Sequence, residues 1–303
     1  MRIAVIGAGG VGGYFGGVLA RAGHDVRLLA RGEHRDVIRK QGLTVREPKG
    51  TFTANLLASD DPSELGPADL ALIAVKSYSL DEIAPVVRML AEQGSVILPL
   101  LNGVEASERL ALRKVPREQI LEGLTLVSSE RSAPGVVTLK SDFRSVVVGE
   151  RGGEVSERAL RAAAAFREAG VEARVSDEVV VDLWRKFLFI ATLSAACGLA
   201  RAPVGAVRAA PLGRLLLERA AREIGSVARA RSVRLPEGEE DRTLERIEGL
   251  SPAIKPSFLL DLERGGSNEL DVLSGAVSRY GRDCGVSTPI HDTATAAFSA
   301  GSS

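Results

Sequence analysis

Through the first half of the chain, short apolar runs alternate with stretches whose apolar positions recur at helical spacing. Residues 3–6 form a buried run, and residues 11–21 have helical spacing that ends at Gly23, a residue suited to close a helix. A second run at 26–29 is followed by strand-like segments at 52–58 and 70–75, with a turn at Pro67 between them. Residues 80–92 read as a helix and 95–100 as the next strand. Strands alternating with helices in this way predict βαβ units and a parallel sheet. A more polar, β-rich section follows, with strands expected at 119–128, 135–139 and 145–149, a loop at Arg151, Gly152 and Gly153, a helix at 156–169 and a last strand at 171–175.

From Val179 onward the strand pattern stops. Leu183, Phe187, Ile190, Ser194 and Cys197 are spaced as one helix face, and Leu212, Leu216, Ala220, Ile224 and Val227 as another. Pro252 and Pro256 interrupt the chain before residues 258–263, and residues 269–284 read as a further helix. The expectation is an α/β protein, with a Rossmann-type dinucleotide-binding domain over 1–176 and an all-helical domain over 177–303. The tail 299–303 is expected to fray.

Charge narrows the function classes. The 303 residues carry 39 Lys+Arg and 39 Asp+Glu, and such a balanced chain is a poor partner for nucleic acid or an anionic lipid surface. Aromatic residues make up 4%, few for base stacking. Cys197 and Cys284 make no disulfide framework, and the scattered His24, His34 and His291 make no zinc site, so no metal is expected. The longest apolar stretch, residues 187–200, is shorter than the ~20 residues a membrane helix needs and is interrupted by Thr192, Ser194 and Gly198. With no leader pattern before the first strand, a cytoplasmic protein is expected. The apolar positions of the helical domain serve either as ordinary core or as the face of a homodimer.

The sharpest motif is Gly7-Ala8-Gly9-Gly10-Val11-Gly12, which lies between the first strand and the first helix. In that context the three spaced glycines make a tight turn, a close backbone approach to a pyrophosphate, and close packing of helix on strand. The helix N-terminus adds N–H donors and positive partial charge. At the end of the second strand an NAD-binding chain places an acidic residue about 20 residues on, to hold the ribose 2′-hydroxyl. Here Arg31 stands in that region, which favours a 2′-phosphate and therefore NADPH. Lys76 and Asn102 end later strands, where ligands of open α/β sheets bind. Lysine is scarce, seven residues against 32 arginines, and Lys186 is the only charged residue between Arg185 and Arg201. Read as opening an apolar helix, it is a candidate proton donor for the alkoxide formed when a carbonyl is reduced. Ser257 and Glu269 flank a turn containing Gly265 and Gly266, but their spacing alone assigns them no role.

The ordered set of Gly7-x-Gly-x-x-Gly12, Val75-Lys76, Pro99-x-x-Asn102-Gly103, Trp184-x-Lys186, Ser257 and Asn268-Glu269-x-Asp271 resembles the ketopantoate reductase (2-dehydropantoate 2-reductase) family along nearly the whole chain. The resemblance implies a Rossmann domain followed by a helical domain, with an interdomain site where NADPH reduces ketopantoate to pantoate on the route to pantothenate and coenzyme A. It further implies that Lys186 is the proton donor, that Glu269 binds the substrate hydroxyl and organises the lysine, and that Ser257 binds the substrate carboxylate. Asn102 matches the asparagine near the nicotinamide and the lysine, while Arg31 and Lys76 match cofactor-side residues. One departure stands out. Well-characterised members place asparagines four and eight residues after the lysine, where this chain has Ile190 and Ser194. That change makes the substrate pocket more apolar and leaves open a different 2-oxo acid with a more apolar tail. A non-catalytic NADPH-binding sensor is the alternative from another class.

Overall fold

The computed structural model describes residues 1–299; of the tail expected to fray, 300–303 lie outside the described residues, and Ser299 ends a helix. The chain divides into two compact units. The first comprises Met1–Leu101 and Glu105–Val179; the second comprises Asn102–Val104 and the chain from Val180.

In the first unit the order of elements is β1 (Arg2–Ile6), α1 (Gly10–Arg21), β2 (Asp25–Leu29), α2 (Gly32–Gln41), β3 (Leu43–Glu47), β4 (Gly50–Ala54), β5 (Leu57–Ser59), β6 (Leu70–Ile73), α3 (Leu80–Glu92) and β7 (Val96–Pro99). It continues through α4 (Ala106–Leu112), β8 (Glu122–Ala133), β9 (Val136–Gly149), α5 (Glu157–Glu168) and β10 (Glu172–Val175). One sheet has the order β5-β2-β1-β6-β7, with every neighbouring pair parallel. The order reverses at β1, which makes the gap between β1 and β6 the switch point where ligands of doubly wound sheets bind. The second sheet has the order β10-β9-β3-β4, with β8 antiparallel along β9.

The apolar runs of the parallel strands follow from burial on both faces. Ile3, Val5, Leu70 and Leu72 belong to one core cluster, with Phe15 of α1, Phe166 of α5 and Val137 and Val146 of the second sheet. Ala4, Ile6, Ala71 and Ile73 belong to another, with Leu80, Val87 and Leu90 of α3. Helix α1 therefore lies between the two sheets, and its glycines make the approach close. A Cβ on Gly13 would lie 2.7 Å from Val137 Cγ2, and one on Gly17 would lie 2.5 Å from Val45 Cγ2.

Two readings of the pattern are corrected here, and one stretch that the pattern left blank is filled. Residues 52–58 are not one strand: they divide between β4 and β5, which belong to different sheets. Residues 135–139 and 145–149 fall at the start and end of the single strand β9, which pairs with β8 on both sides of an irregularity at its polar middle, where Ser141 Oγ accepts from the N–H of Ser128. Helix α2 and strand β3, between 26–29 and 52–58, carry little apolar signal, since α2 buries only His34 and Ile38.

The second unit is helical: α6 (Val179–Ala200), α7 (Val204–Ala209), α8 (Gly213–Ala230), α9 (Glu239–Glu248), α10 (Ser257–Glu263), α11 (Ser274–Cys284) and α12 (Pro289–Ser299). Its main core gathers Trp184, Phe187 and Leu188 of α6 with Ile224 of α8, Val277 of α11 and Phe298 of α12. Two expectations change. Lys186 does not open its helix, because α6 begins at Val179 and the lysine sits about two turns in. Residues 269–284 are not one helix, because Glu269 precedes a single 3-10 turn, Leu270–Val272, and α11 starts only at Ser274. Among the described residues no helix is long and apolar enough to cross a membrane.

Candidate active site

In the first unit, the fingerprint occupies the β1–α1 turn at the switch point. Gly7 has φ +102°, and a Cβ there would lie 2.8 Å from the backbone nitrogen of Val75, so conformation and space both require glycine. A Cβ on Gly12 would run into the carbonyl oxygen of Gly7, so helix and turn close on each other only without one. Gly9 differs: a Cβ there would meet nothing within 4 Å. It is also the N-cap of α1, and the first turn of that helix carries no acidic side chain. The result is an open approach to helix N–H groups and positive partial charge, which fits the pyrophosphate of a dinucleotide.

Arg31 directly follows Ala30 at the end of β2, and its guanidinium donates to Glu82 Oε1 of α3 at 2.8 Å, both side chains being exposed. Lys76 stands three residues beyond β6, exposed, at the N-cap of the 3-10 turn Ser77–Ser79. Both basic residues therefore stand beyond the same strand ends as the glycine turn. The acidic partner of Arg31 was invisible in the sequence pattern, since 51 residues separate the two.

In the second unit, the structure joins residues that are far apart in sequence. Asn102 Nδ2 donates to Glu269 Oε2 at 3.0 Å. Gly103 makes this approach possible: at φ +89°, its Cβ would lie 3.0 Å from the carbonyl oxygen of Val272. Within the Asn268-Glu269-x-Asp271 motif each polar group has its own task. Asn268 Oδ1 accepts from the N–H of Leu270, turning the chain at that point. Asp271 pairs with Arg279 of α11, and Glu269, nearly fully buried, faces Asn102.

Lys186 is half-buried on α6. Desolvation lowers its pKa to about 8, against the opposing pull of the Glu269 charge. Near neutral pH such an ammonium is charged but gives up its proton readily, as a general acid must. Ile190 and Ser194 follow at four and eight residues, on the same face of the helix. Ser194 is buried, and Ile190 packs against the main helical core. Ser257 is exposed, at the first position of α10 after Pro256. Glu269 is thus tied both to Asn102, by a hydrogen bond, and to Lys186, by charge.

Residues 3–153 match the family described as Ketopantoate reductase PanE/ApbA, and residues 178–301 match its C-terminal part. The chain belongs to the ketopantoate reductase family. It is an NADP-dependent oxidoreductase. Two relatives are each 33% identical to it. One, from Bacillus subtilis strain 168, is named "Uncharacterized oxidoreductase YkpB" and aligns over 97% of this chain and 96% of its own. The other is the 2-dehydropantoate 2-reductase of Halobacterium salinarum, aligned over 96% and 95%. Among solved structures, a PanE/ApbA family ketopantoate reductase from Ralstonia eutropha JMP134 superposes with a TM-score of 0.91 at 30% identity, covering 100% of this chain and 98% of that one. A D-mandelate dehydrogenase in complex with NADH superposes with a TM-score of 0.85 at 26% identity, covering 97% of each. Ketopantoate reductases use NADPH, and the open Gly9 flanked by Gly7 and Gly12 suits its pyrophosphate.

Proposed function

We propose that the protein is a 2-oxo acid reductase acting on ketopantoate, in the route to pantothenate. The observation that carries this reading is Lys186, held by burial at a pKa of about 8 beside a glutamate that Asn102 anchors. In this reading the first 176 residues, Asn102 apart, hold the cofactor, and the rest hold the substrate and the chemistry. Gly7 to Gly12 accept the pyrophosphate, and Arg31 and Lys76 hold the phosphate-bearing adenosine and diphosphate side. When bound, NADPH supplies a hydride to the ketone carbon. The ammonium of Lys186 gives its proton to the ketone oxygen. Glu269 holds the lysine in place and takes the substrate hydroxyl, while Asn102 keeps the carboxylate of Glu269 in one orientation. Ser257 receives the substrate carboxylate.

Ile190 and Ser194 favour a second reading within the same chemistry. An isoleucine gives a substrate hydroxyl no partner, and sites lacking such partners discriminate poorly against apolar analogues. A branched 2-oxo acid with a more apolar tail then becomes the better substrate, in keeping with a structural relative named for mandelate, an acid with an apolar tail.

The test is NADPH oxidation measured with ketopantoate beside a panel of branched 2-oxo acids. The highest kcat/KM is expected with ketopantoate, whereas a clear preference for a branched acid establishes the second reading. NADPH binding without oxidation by any acid in the panel would overturn the reductase assignment in favour of a sensor.

A further inference from the structure

His34 lies in α2, nearly fully buried, and touches both ends of a connection that no sequence motif contains. Its Nε2 is 2.8 Å from the carbonyl oxygen of Ala8, the residue between the first two glycines of the fingerprint. The N–H of Gly135, in the turn between β8 and β9, donates to its Nδ1 at 2.8 Å. These partners fix the tautomer. A carbonyl only accepts, so Nε2 carries the hydrogen; a backbone N–H only donates, so Nδ1 offers its lone pair. Burial and the nearby charge of Arg131 push the His34 pKa down, in keeping with a neutral ring.

The far end of the connection is equally constrained. Gly135 has φ +70°, its missing Cβ would press on Val37 of α2, and its carbonyl accepts from the N–H of Thr44 at 2.9 Å. The turn is therefore a fixed anchor. In a trans peptide the carbonyl and the following N–H point in opposite directions. Holding the Ala8 carbonyl toward His34 thus turns the N–H of Gly9 away from α2. Gly9 is the residue at which the backbone is open to an approaching group.

We infer that His34 is a positioning residue for the dinucleotide: through the Ala8 carbonyl it orients the Gly9 N–H toward the cofactor pyrophosphate, braced by the β8–β9 turn. The inference rests on the reading that NADPH occupies the glycine turn.

Two variants separate the roles of the ring nitrogens. In His34→Gln the amide nitrogen takes the place of Nε2 and still donates to Ala8. In His34→Asn the shorter side chain serves the Gly135 end only. NADPH affinity is measured by cofactor fluorescence, together with the 15N–1H signal of Gly9 during titration. His34→Asn is expected to raise the Kd for NADPH about tenfold, the scale of one lost buried hydrogen bond. It is also expected to raise KM for NADPH with kcat at saturation retained, and to blunt the shift of the Gly9 signal, while His34→Gln stays near wild type. Wild-type Kd and an unaltered Gly9 shift in His34→Asn, whatever its thermal stability, would overturn the inference. Failure of the wild-type protein to bind NADPH would instead overturn the reading beneath it.

Discussion

At the scale of single residues, the proposed chemistry concentrates on a lysine whose charge is weakly held. Removing the ammonium in Lys186→Ala is expected to cut turnover by about 10²- to 10⁴-fold, the usual contribution of one general acid, while NADPH still binds; near-normal turnover would show that the proton comes from elsewhere. The pH profile follows from the same group. Its protonated form is the donor, so the rate of reduction is full below about pH 8 and falls as pH rises through that value. A flat profile from pH 7 to 10 would contradict this. Much of the proposed site was legible at this scale. The glycine turn, Arg31, Lys76 and Lys186 each announce themselves by standing next to a strand or within an apolar run. The partners were not legible. Asn102 meets Glu269 across 167 residues, and His34 meets Gly135 across 101, pairings that only the folded topology creates.

At the scale of elements, apolar periodicity found what it could describe. Helix α3 was legible because Leu80, Ile83, Ala84, Val87 and Leu90 line one buried face. Helix α9 was not, because Glu239–Glu248 buries only Glu239, Glu240, Thr243 and Ile247 and otherwise reads as a charged loop. The division of 52–58 between two sheets was hidden for another reason: the run of apolar residues gives no sign of where its backbone partners lie. Helix α1 carries the element-scale prediction. Replacing glycine on an exposed helix face stabilises by about 1 kcal/mol, but Gly13 faces Val137. Gly13→Leu should therefore destabilise by roughly 1–3 kcal/mol, as overpacked cores do, measured as a lower urea midpoint. A raised midpoint would show that α1 is not clamped.

At the scale of the whole molecule, the pattern located the change from mixed α/β to purely helical structure, because β-runs end where α6 begins. It did not anticipate that Asn102–Val104 groups with the helical unit although the chain around it belongs to the first. Nor did it reveal two sheets in the first unit, since alternating elements are read as one sheet until pairings are known. The second sheet bears on how portable the nucleotide turn is. Five of the twelve residues of α1 are glycine, a composition about 5 kcal/mol worse than alanine for an isolated helix. The helix takes its shape from being pressed on two sides, and strands after residue 121 supply much of one of them. A fragment ending at Leu101 retains the whole glycine motif and all five parallel strands. It should nonetheless show less helix by circular dichroism than its three helices would give when fully formed, and no NADPH fluorescence change. A recombination event that moved the motif alone to another protein would transfer its letters without its grip on a nucleotide.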